Sequence, residues 1–325
     1  SSHDHERGCV ERSKHKMGKK VLVTGGAGFI GSHLVDRLIQ EGNEVVVIDN
    51  LSTGKRKQLN KKAVLYKTDI RSKRIERVFR KERPLTIVHL AAQMNVQHST
   101  ANPGFDADVN ILGMLNLLEH AVKNGVRKVS FASSGGAVYG EQEVFPAAES
   151  HRTEPMSPYG ISKLAGEKYL AYYATALGLR SVVLRFANVY GPRQDSEGEA
   201  GVVAIFSKLM LEGGQPIVNG TGKQTRDFVY VDDAVESIMA TIGEDVQGIF
   251  NVGTGQESTV NECYGILKAL TSSSCKDLYG AAKKGEQFRS VLDVTKLRER
   301  FDWDPQVSLS EGLKMTVEFF QAQKK

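Results

Sequence analysis

Thr24-Gly25-Gly26-Ala27-Gly28-Phe29-Ile30-Gly31-Ser32 lies between two apolar runs, Lys20–Thr24 before it and Glu44–Ile48 after it. Val21, Leu22 and Val23 in succession predict a buried strand. Leu34, Val35, Leu38 and Ile39 fall at helical spacing over 33–41, and Gly42-Asn43 ends that helix. The second run closes on Asp49, 18 residues after Gly31. A strand–glycine turn–helix–strand–acid unit has a physical use. Its glycines, Gly25, Gly28 and Gly31, allow a tight turn, close approach of backbone to a pyrophosphate, and close packing of helix on strand. The helix then offers free N–H groups and a positive dipole end to the phosphates. Asp49 is placed for the hydroxyls of an adenine ribose, which favours NAD over NADP because a 2′-phosphate would be repelled. Lys55, Arg56 and Lys57 offer such a phosphate an alternative grip, although a solvated loop is the simpler reading.

The alternation continues outward from this unit. Strands are predicted at 64–67, 85–90, 129–133 and 180–185, with helices at 72–81, 105–124 and 158–177 between them. Strands joined by helices of ten or more residues imply right-handed crossovers and a parallel sheet. The fold class is therefore α/β: a Rossmann-type doubly wound parallel sheet with a smaller C-terminal α+β substrate domain. Residues 17–192 form the expected NAD-binding domain, with elements near 225–255 returning to it. Residues 193–325 mainly form the smaller, substrate-binding domain. The pattern loosens after Arg185, where a polar loop over 191–203 precedes helices at 202–212 and 260–270 and short strands near 228 and 249–252. The cleft between the two parts is the expected ligand site.

Six of the Lys and Arg residues and three of the acids lie in residues 1–20, so that segment holds +3 of the net +5. No dense basic face is left to suggest nucleic acid. Residues 1–16 lack the apolar core of a secretory signal and read as a disordered extension or an expression remnant, with the native start at Met17. No run approaches the roughly 18 apolar residues that span a membrane. Cys9, Cys263 and Cys275 form no CxxC pair, which argues for a reducing, cytoplasmic compartment and against a metal site.

Chemistry enters at 157–163, Ser157-Pro158-Tyr159-Gly160-Ile161-Ser162-Lys163. Ser157 suits an N-cap and Pro158 the first helical position, which puts Tyr159 and Lys163 at i and i+4 on one helix face. A phenol, with a pKa of about 10, is a poor base at neutral pH, and an adjacent ammonium favours its ionised form. The preceding strand ends in Ser133-Ser134-Gly135-Gly136, where a hydroxyl points into the ligand cleft. Ser134 is the candidate partner for the substrate oxygen, and Ser133 competes with it.

Around these residues stand DNLSTG (49–54), VHLAAQ (88–93), FASSGGAVYG (131–140), LRFANVYGPRQD (184–195), GEAGVVAIF (198–206) and QTRDFVYVDD (224–233). Together with the glycine turn, and over about residues 20–320, they resemble the extended short-chain dehydrogenase/reductase family, in particular its short prokaryotic UDP-glucose 4-epimerase branch. The resemblance implies that Gly25, Gly28, Phe29, Ile30, Gly31, Asp49, Asn50, Asp69, Ile70, Leu90, Ala91, Ala92 and Asn110 line NAD, with Tyr159 and Lys163 at its nicotinamide end. It makes Tyr159 the base, Lys163 its helper and Ser134 the hydroxyl partner, and it gives Asn188 and Arg226 the nucleotide diphosphate. The implied reaction oxidises a UDP-hexose at its 4-hydroxyl, turns the 4-keto sugar and reduces it on the other face.

The chain departs from the family where an Arg–Pro–Gly–Asp stretch is usual. It has Lys283-Lys284-Gly285-Glu286, with Arg289 as a second candidate phosphate ligand. Ser290 takes a position beside the sugar's 2-substituent, where a small residue implies room for an N-acetyl group. Related dehydratases carry Asp-Glu after the strand-five hydroxyl; Gly135-Gly136 stand there instead. The alternatives are a UDP-glucuronate 4-epimerase, a decarboxylase, a 4,6-dehydratase, or a non-catalytic NAD-sensing protein. The family also implies a homodimer through helices near 105–124 and 158–177.

Overall fold

The computed structural model describes residues 19–197, 201–243, 245–283 and 285–324. The extension read at 1–16, part of the loop read at 191–203, and Lys284 lie outside the described residues. In chain order the strands are β1 (Lys20–Thr24), β2 (Glu44–Asp49), β3 (Val64–Lys67), β4 (Thr86–His89), β5 (Lys128–Ser134), β6 (Arg180–Phe186), β7 (Asn188–Tyr190), β8 (Ile217–Asn219), β9 (Thr225–Arg226), β10 (Phe228–Tyr230), β11 (Gly248–Val252), β12 (Ser258–Thr259) and β13 (Leu278–Gly280). The α-helices are α1 (Phe29–Gln40), α2 (Ile75–Glu82), α3 (Val96–Ala101), α4 (Pro103–Ala107), α5 (Gly113–Lys123), α6 (Gly135–Val138), α7 (Pro158–Leu177), α8 (Val202–Leu211), α9 (Val231–Thr241), α10 (Val260–Leu270), α11 (Thr295–Phe301) and α12 (Leu309–Ala322).

Seven strands form one parallel sheet in the order β11-β6-β5-β4-β1-β2-β3. Successive side chains of a strand enter opposite cores. Val21 and Val23 of β1 pack with Leu34, Val35 and Leu38 of α1 and Val235 and Ile238 of α9. Leu22 joins Ile75 and Phe79 of α2, Leu117 and Leu118 of α5, and Leu170 of α7 on the other face. Burial on both faces is why the strand sequences are continuous apolar runs rather than alternating ones. The strand order reverses between β1 and β4, so the carboxyl ends of these two open the crevice in which such folds bind ligands. Three short pairs, β7 with β10, β8 with β13 and the antiparallel β9 with β12, build the rest. No helix among the described residues is long and apolar enough to cross a membrane.

Two predicted helices differ from the structure. The one read over 72–81 begins only at Ile75, because Asp69 and Ser72 use their side chains on the backbone N–H groups of Arg71 and Arg74 and form turns. The one read over 105–124 is α4, a wide π turn at Asp108–Leu112, and α5. That turn aims Asn110 inward, where it bonds Gln93.

Candidate active site

β1 delivers Thr24 to the crevice, and the chain turns at Gly25 with φ +72°. A Cβ there would stand 2.8 Å from Ala91 N, and one on Gly31 would collide with the Gly25 carbonyl. Both positions therefore require glycine. Gly28 caps α1 without a side-chain bond, and no acid stands in the first turn, so the leading N–H groups by Phe29 and Ile30 are left for an anion. Asp49 accepts from Ala27 N at 2.9 Å and Leu51 N at 2.8 Å, and a Cβ on Gly54 would lie 2.9 Å from both of its oxygens. Its carboxylate is thus held at the edge of the glycine turn, as a dinucleotide's ribose requires. These features fit NAD. Lys55, Arg56 and Lys57 are exposed, and Lys55 pairs with Asp195 at 3.8 Å.

Asn50 donates to Asp69 at 3.0 Å, and Arg71 grips Asp69 at 2.9 Å and Asp108 at 2.6 Å. The Arg71 guanidinium holds the Asp69 carboxyl down to about 2. Ile70 is buried against Gly113. Leu90, Ala91 and Ala92 follow β4 half-buried. The first two donate their N–H groups to Thr24 Oγ1 at 3.1 and 3.2 Å, tying the two loops of the crevice together.

The catalytic candidates converge beside this crevice. Ser157 caps α7 through Gly160 N at 3.1 Å, and Tyr159 N donates to Ser99 Oγ at 3.2 Å. Lys163 Nζ donates to Ala132 O at 2.8 Å and lies 5.7 Å from the centre of the Tyr159 ring. The Ser134 hydroxyl stands beside the Tyr159 phenol and favours its ionised form. Burial pushes that phenol up to about 12, against the pull of Ser134. Burial also brings Lys163 down to about 8, with Asp106 and Glu167 opposing the fall.

Ser133 faces the other way. It donates to Glu167 Oε1 at 2.6 Å, and Glu167 in turn takes two bonds from Arg185, at 2.9 and 2.6 Å. Of the two competing hydroxyls, only that of Ser134 is beside the phenol. A Cβ on Gly136 would be 3.8 Å from Asn188 Oδ1 and 3.9 Å from Ser134 Oγ, so Asn188 borders the same space. A Cβ on Gly135 would stand 2.5 Å from Leu292 Cδ1, so a side chain there would have to displace that leucine.

Arg226 and Arg289 meet at a second corner. Arg226, on β9, pairs with Glu286 at 3.0 Å, while Arg289 grips Glu257 at 2.6 Å and stacks on Phe145 at 3.8 Å. Thr225 also bonds Glu257, and Thr225 N donates to Phe288 O. The two arginines are thus held on one framework, each already matched by a carboxylate. Lys283 is exposed. Ser290, 3% exposed, accepts a long bond from Gln142 at 3.4 Å. Gln142 also accepts from Val291 N, and Asp227 bonds Thr254, Gly255 and Leu292. Gln142 and Asp227 thereby fix the backbone on either side of Ser290–Leu292. Neither carries a local sequence signal, since each works through residues far away in the chain. Asp106 and Ser162 are joined at 2.5 Å, and the sequence motifs give neither a role. The one available hint was the polar Asp106–Asn110 pair at i, i+4 in a helical stretch.

The sequence pattern of the NAD dependent epimerase/dehydratase family matches residues 21–253. A UDP-glucose 4-epimerase of Mycolicibacterium smegmatis is 43% identical over 308 residues, covering 93% of this chain and 98% of its own. The crystal structure of a Thermotoga maritima UDP-glucose 4-epimerase with UDP-glucose is 48% identical, covers 94% of this chain and 100% of its own, and superposes with a TM-score of 0.91. A Thermus thermophilus UDP-glucose 4-epimerase in complex with NAD is 44% identical, covers 93% and 99%, and gives 0.90. Nucleotide-sugar decarboxylases and dehydratases are more distant relatives. By sequence and by fold, the chain belongs to the NAD dependent epimerase/dehydratase family.

Proposed function

We infer that the chain is a 4-epimerase of UDP-hexoses. The observation that carries this reading is the convergence of Ser134, Tyr159 and Lys163 beside two glycines that bear no acid. Tyr159, as its phenolate, takes the proton of the sugar's 4-hydroxyl while Ser134 holds the same oxygen, and the Lys163 ammonium stabilises that phenolate before it is protonated. NAD, when bound, would supply the acceptor and then the donor of the hydride at carbon 4. Tyr159 then gives the proton back. Arg226, Arg289 and Asn188 hold the UDP end, which leaves the sugar free to turn; an arginine suits a diphosphate because it binds in two-point fashion. Residues 17–192 would carry NAD and 193–325 most of the nucleotide sugar. Dehydration needs further acid/base groups, and Gly135-Gly136 supply none at this strand end. The cytoplasm is the compartment we assign, because Cys263 and Cys275 are free thiols.

The test is incubation with UDP-glucose, UDP-N-acetylglucosamine and UDP-glucuronate, followed by separation of the products. Turnover of the first two is expected. Ser290→Tyr should lower kcat/KM for the acetylated sugar at least tenfold and leave UDP-glucose within about threefold, since a clash at one substituent discriminates by roughly 1–3 kcal/mol. Equal loss on both sugars would remove Ser290 from substrate selection.

A homodimer is the expected assembly. Leu112 (58% exposed), Ile161 (54%) and Tyr172 (59%), with Phe105 and Tyr169, are exposed apolar side chains on α4, the π turn and α7, which pack together. Contiguous apolar surface of this kind marks an interface. Sedimentation should give twice the chain mass, and Tyr172→Glu should shift the protein toward monomer at micromolar concentration. A wild-type monomer would refute the assignment.

A further inference from the structure

One carboxylate fastens the Tyr159–Lys163 helix to the loop after β4. Asp106 is fully buried, 0% exposed, near the end of α4. Its Oδ1 accepts from Ser162 Oγ at 2.5 Å, and its Oδ2 accepts from Asn110 Nδ2 at 3.1 Å and Gln93 Nε2 at 3.3 Å. Asn110 completes the link by accepting from Gln93 N and donating to Gln93 O, both at 2.8 Å. The residue before Lys163 and the residue after Ala92 therefore hang from the same side chain.

The charges around Lys163 give this arrangement a further role. Tyr159 and Glu167 face it from α7, His89 from β4 and Asp106 from α4, with Arg185 of β6 behind Glu167. His89 is pushed down to about 3 by burial, so it is neutral. The charge of Glu167 is matched by Arg185. Asp106 makes no ion pair with a described residue, and its three donors are all neutral. A buried charge needs compensation. The bond to Ser162 at 2.5 Å sets this carboxylate beside the residue preceding Lys163, a buried cation on which its charge acts.

We propose that Asp106 is the positioning residue of this site, keeping Lys163 in its ammonium form and holding the catalytic helix in register with the loop that ends at Gln93. The proposal rests on the reading of Tyr159 and Lys163 as the proton-handling pair. Burial pulls the lysine down and Asp106 opposes it, so removing the carboxylate lets the lysine fall further. The readout is direct titration of Lys163 in cofactor-free protein carrying lysine labelled with carbon-13 at Cε, the signal being assigned by its loss in Lys163→Arg.

In Asp106→Asn the Lys163 midpoint is expected to drop by about one pH unit. Lys128, a second buried lysine held down to about 7 beside Arg180 and Arg300, should stay in place as an internal reference. Ser162→Ala keeps the charge and should leave the Lys163 midpoint unmoved while lowering kcat. In the active enzyme, the alkaline limb of the kcat profile should move to lower pH with Asp106→Asn alone. An unchanged Lys163 midpoint in folded Asp106→Asn overturns the proposal. So does failure of both Asp106→Asn and Asp106→Ser to fold while Asp106→Glu folds, because the carboxylate would then be only a folding element. Lack of epimerase activity in the wild type would refute the proposed function and leave this titration standing on its own.

Discussion

Tyr159→Phe is expected to lower kcat about a thousandfold while leaving KM for the UDP-sugar within a few-fold, with NAD still bound. The size follows from what the phenol oxygen does. Positioned proton transfer contributes roughly 10²–10⁴-fold, and Tyr159 is the titratable group on which the Ser134 hydroxyl acts at the end of β5. The free protein holds this phenol near 12, far above neutral pH. Ser134 pulls it down, and the Lys163 ammonium 5.7 Å from the ring centre favours the anion once substrate and cofactor fill the crevice. A Phe ring keeps the packing and deletes only this chemistry, so the loss should fall on kcat rather than on KM. Thermal stability should stay the same or rise slightly, because the phenol is strongly desolvated. Progress curves at saturating UDP-glucose decide the matter. Activity within tenfold of wild type would move the base elsewhere and revive the reading of a cofactor-binding protein without this chemistry.

How much of this was legible in the sequence depends on the range of the interactions involved. The glycine turn could be read because its constraint is local: Gly25 needs φ +72°, and Gly31 has no room beside the Gly25 carbonyl. The start of α7 was legible for the same reason, since Ser157 and Pro158 act within one turn. The choice between Ser133 and Ser134 was not. Adjacent strand residues point to opposite faces, and only the arrival of Glu167 and Arg185 from distant elements shows which hydroxyl is engaged. Strands of two or three residues, such as β9 and β12, are too short to carry a period. The α12 helix did carry a signal, the Ser308–Glu311 capping box, although its apolar pattern is diluted by Lys314 and Glu318. The π turn at Asp108–Leu112 hides inside an ordinary helical pattern. Its purpose appears only when Asn110 is seen bonding Gln93.

The second large effect is structural and lies directly behind the catalytic strand. Glu167→Gln is expected to cost about 3–5 kcal/mol, because it leaves the Arg185 guanidinium buried without its counter-charge. The side chains of Arg185 and Glu167 are 4% and 2% exposed, so water cannot take over. Arg185 would lose its bond to Oε2 and keep neutral partners only: the remaining amide oxygen, the Tyr139 hydroxyl at 3.0 Å and the Glu149 carbonyl at 3.3 Å, besides its contact with the Tyr139 ring. Glutamine has the same shape and still offers Ser133 an oxygen, so the change isolates charge from packing. At a fixed NAD concentration the thermal midpoint should fall by roughly 5–8 °C for a chain of this length. Arg185→Met should be damaging for the converse reason, leaving Glu167 with Ser133 alone. The double variant carries neither charge and should lose less than the sum of the two, with a coupling of about 2 kcal/mol. Denaturant titration of the four proteins measures this directly. Additive losses, within about 0.5 kcal/mol, would show that the pair contributes shape and hydrogen bonds rather than matched charge, and would weaken the argument that Glu167 is electrically spent and Asp106 is not.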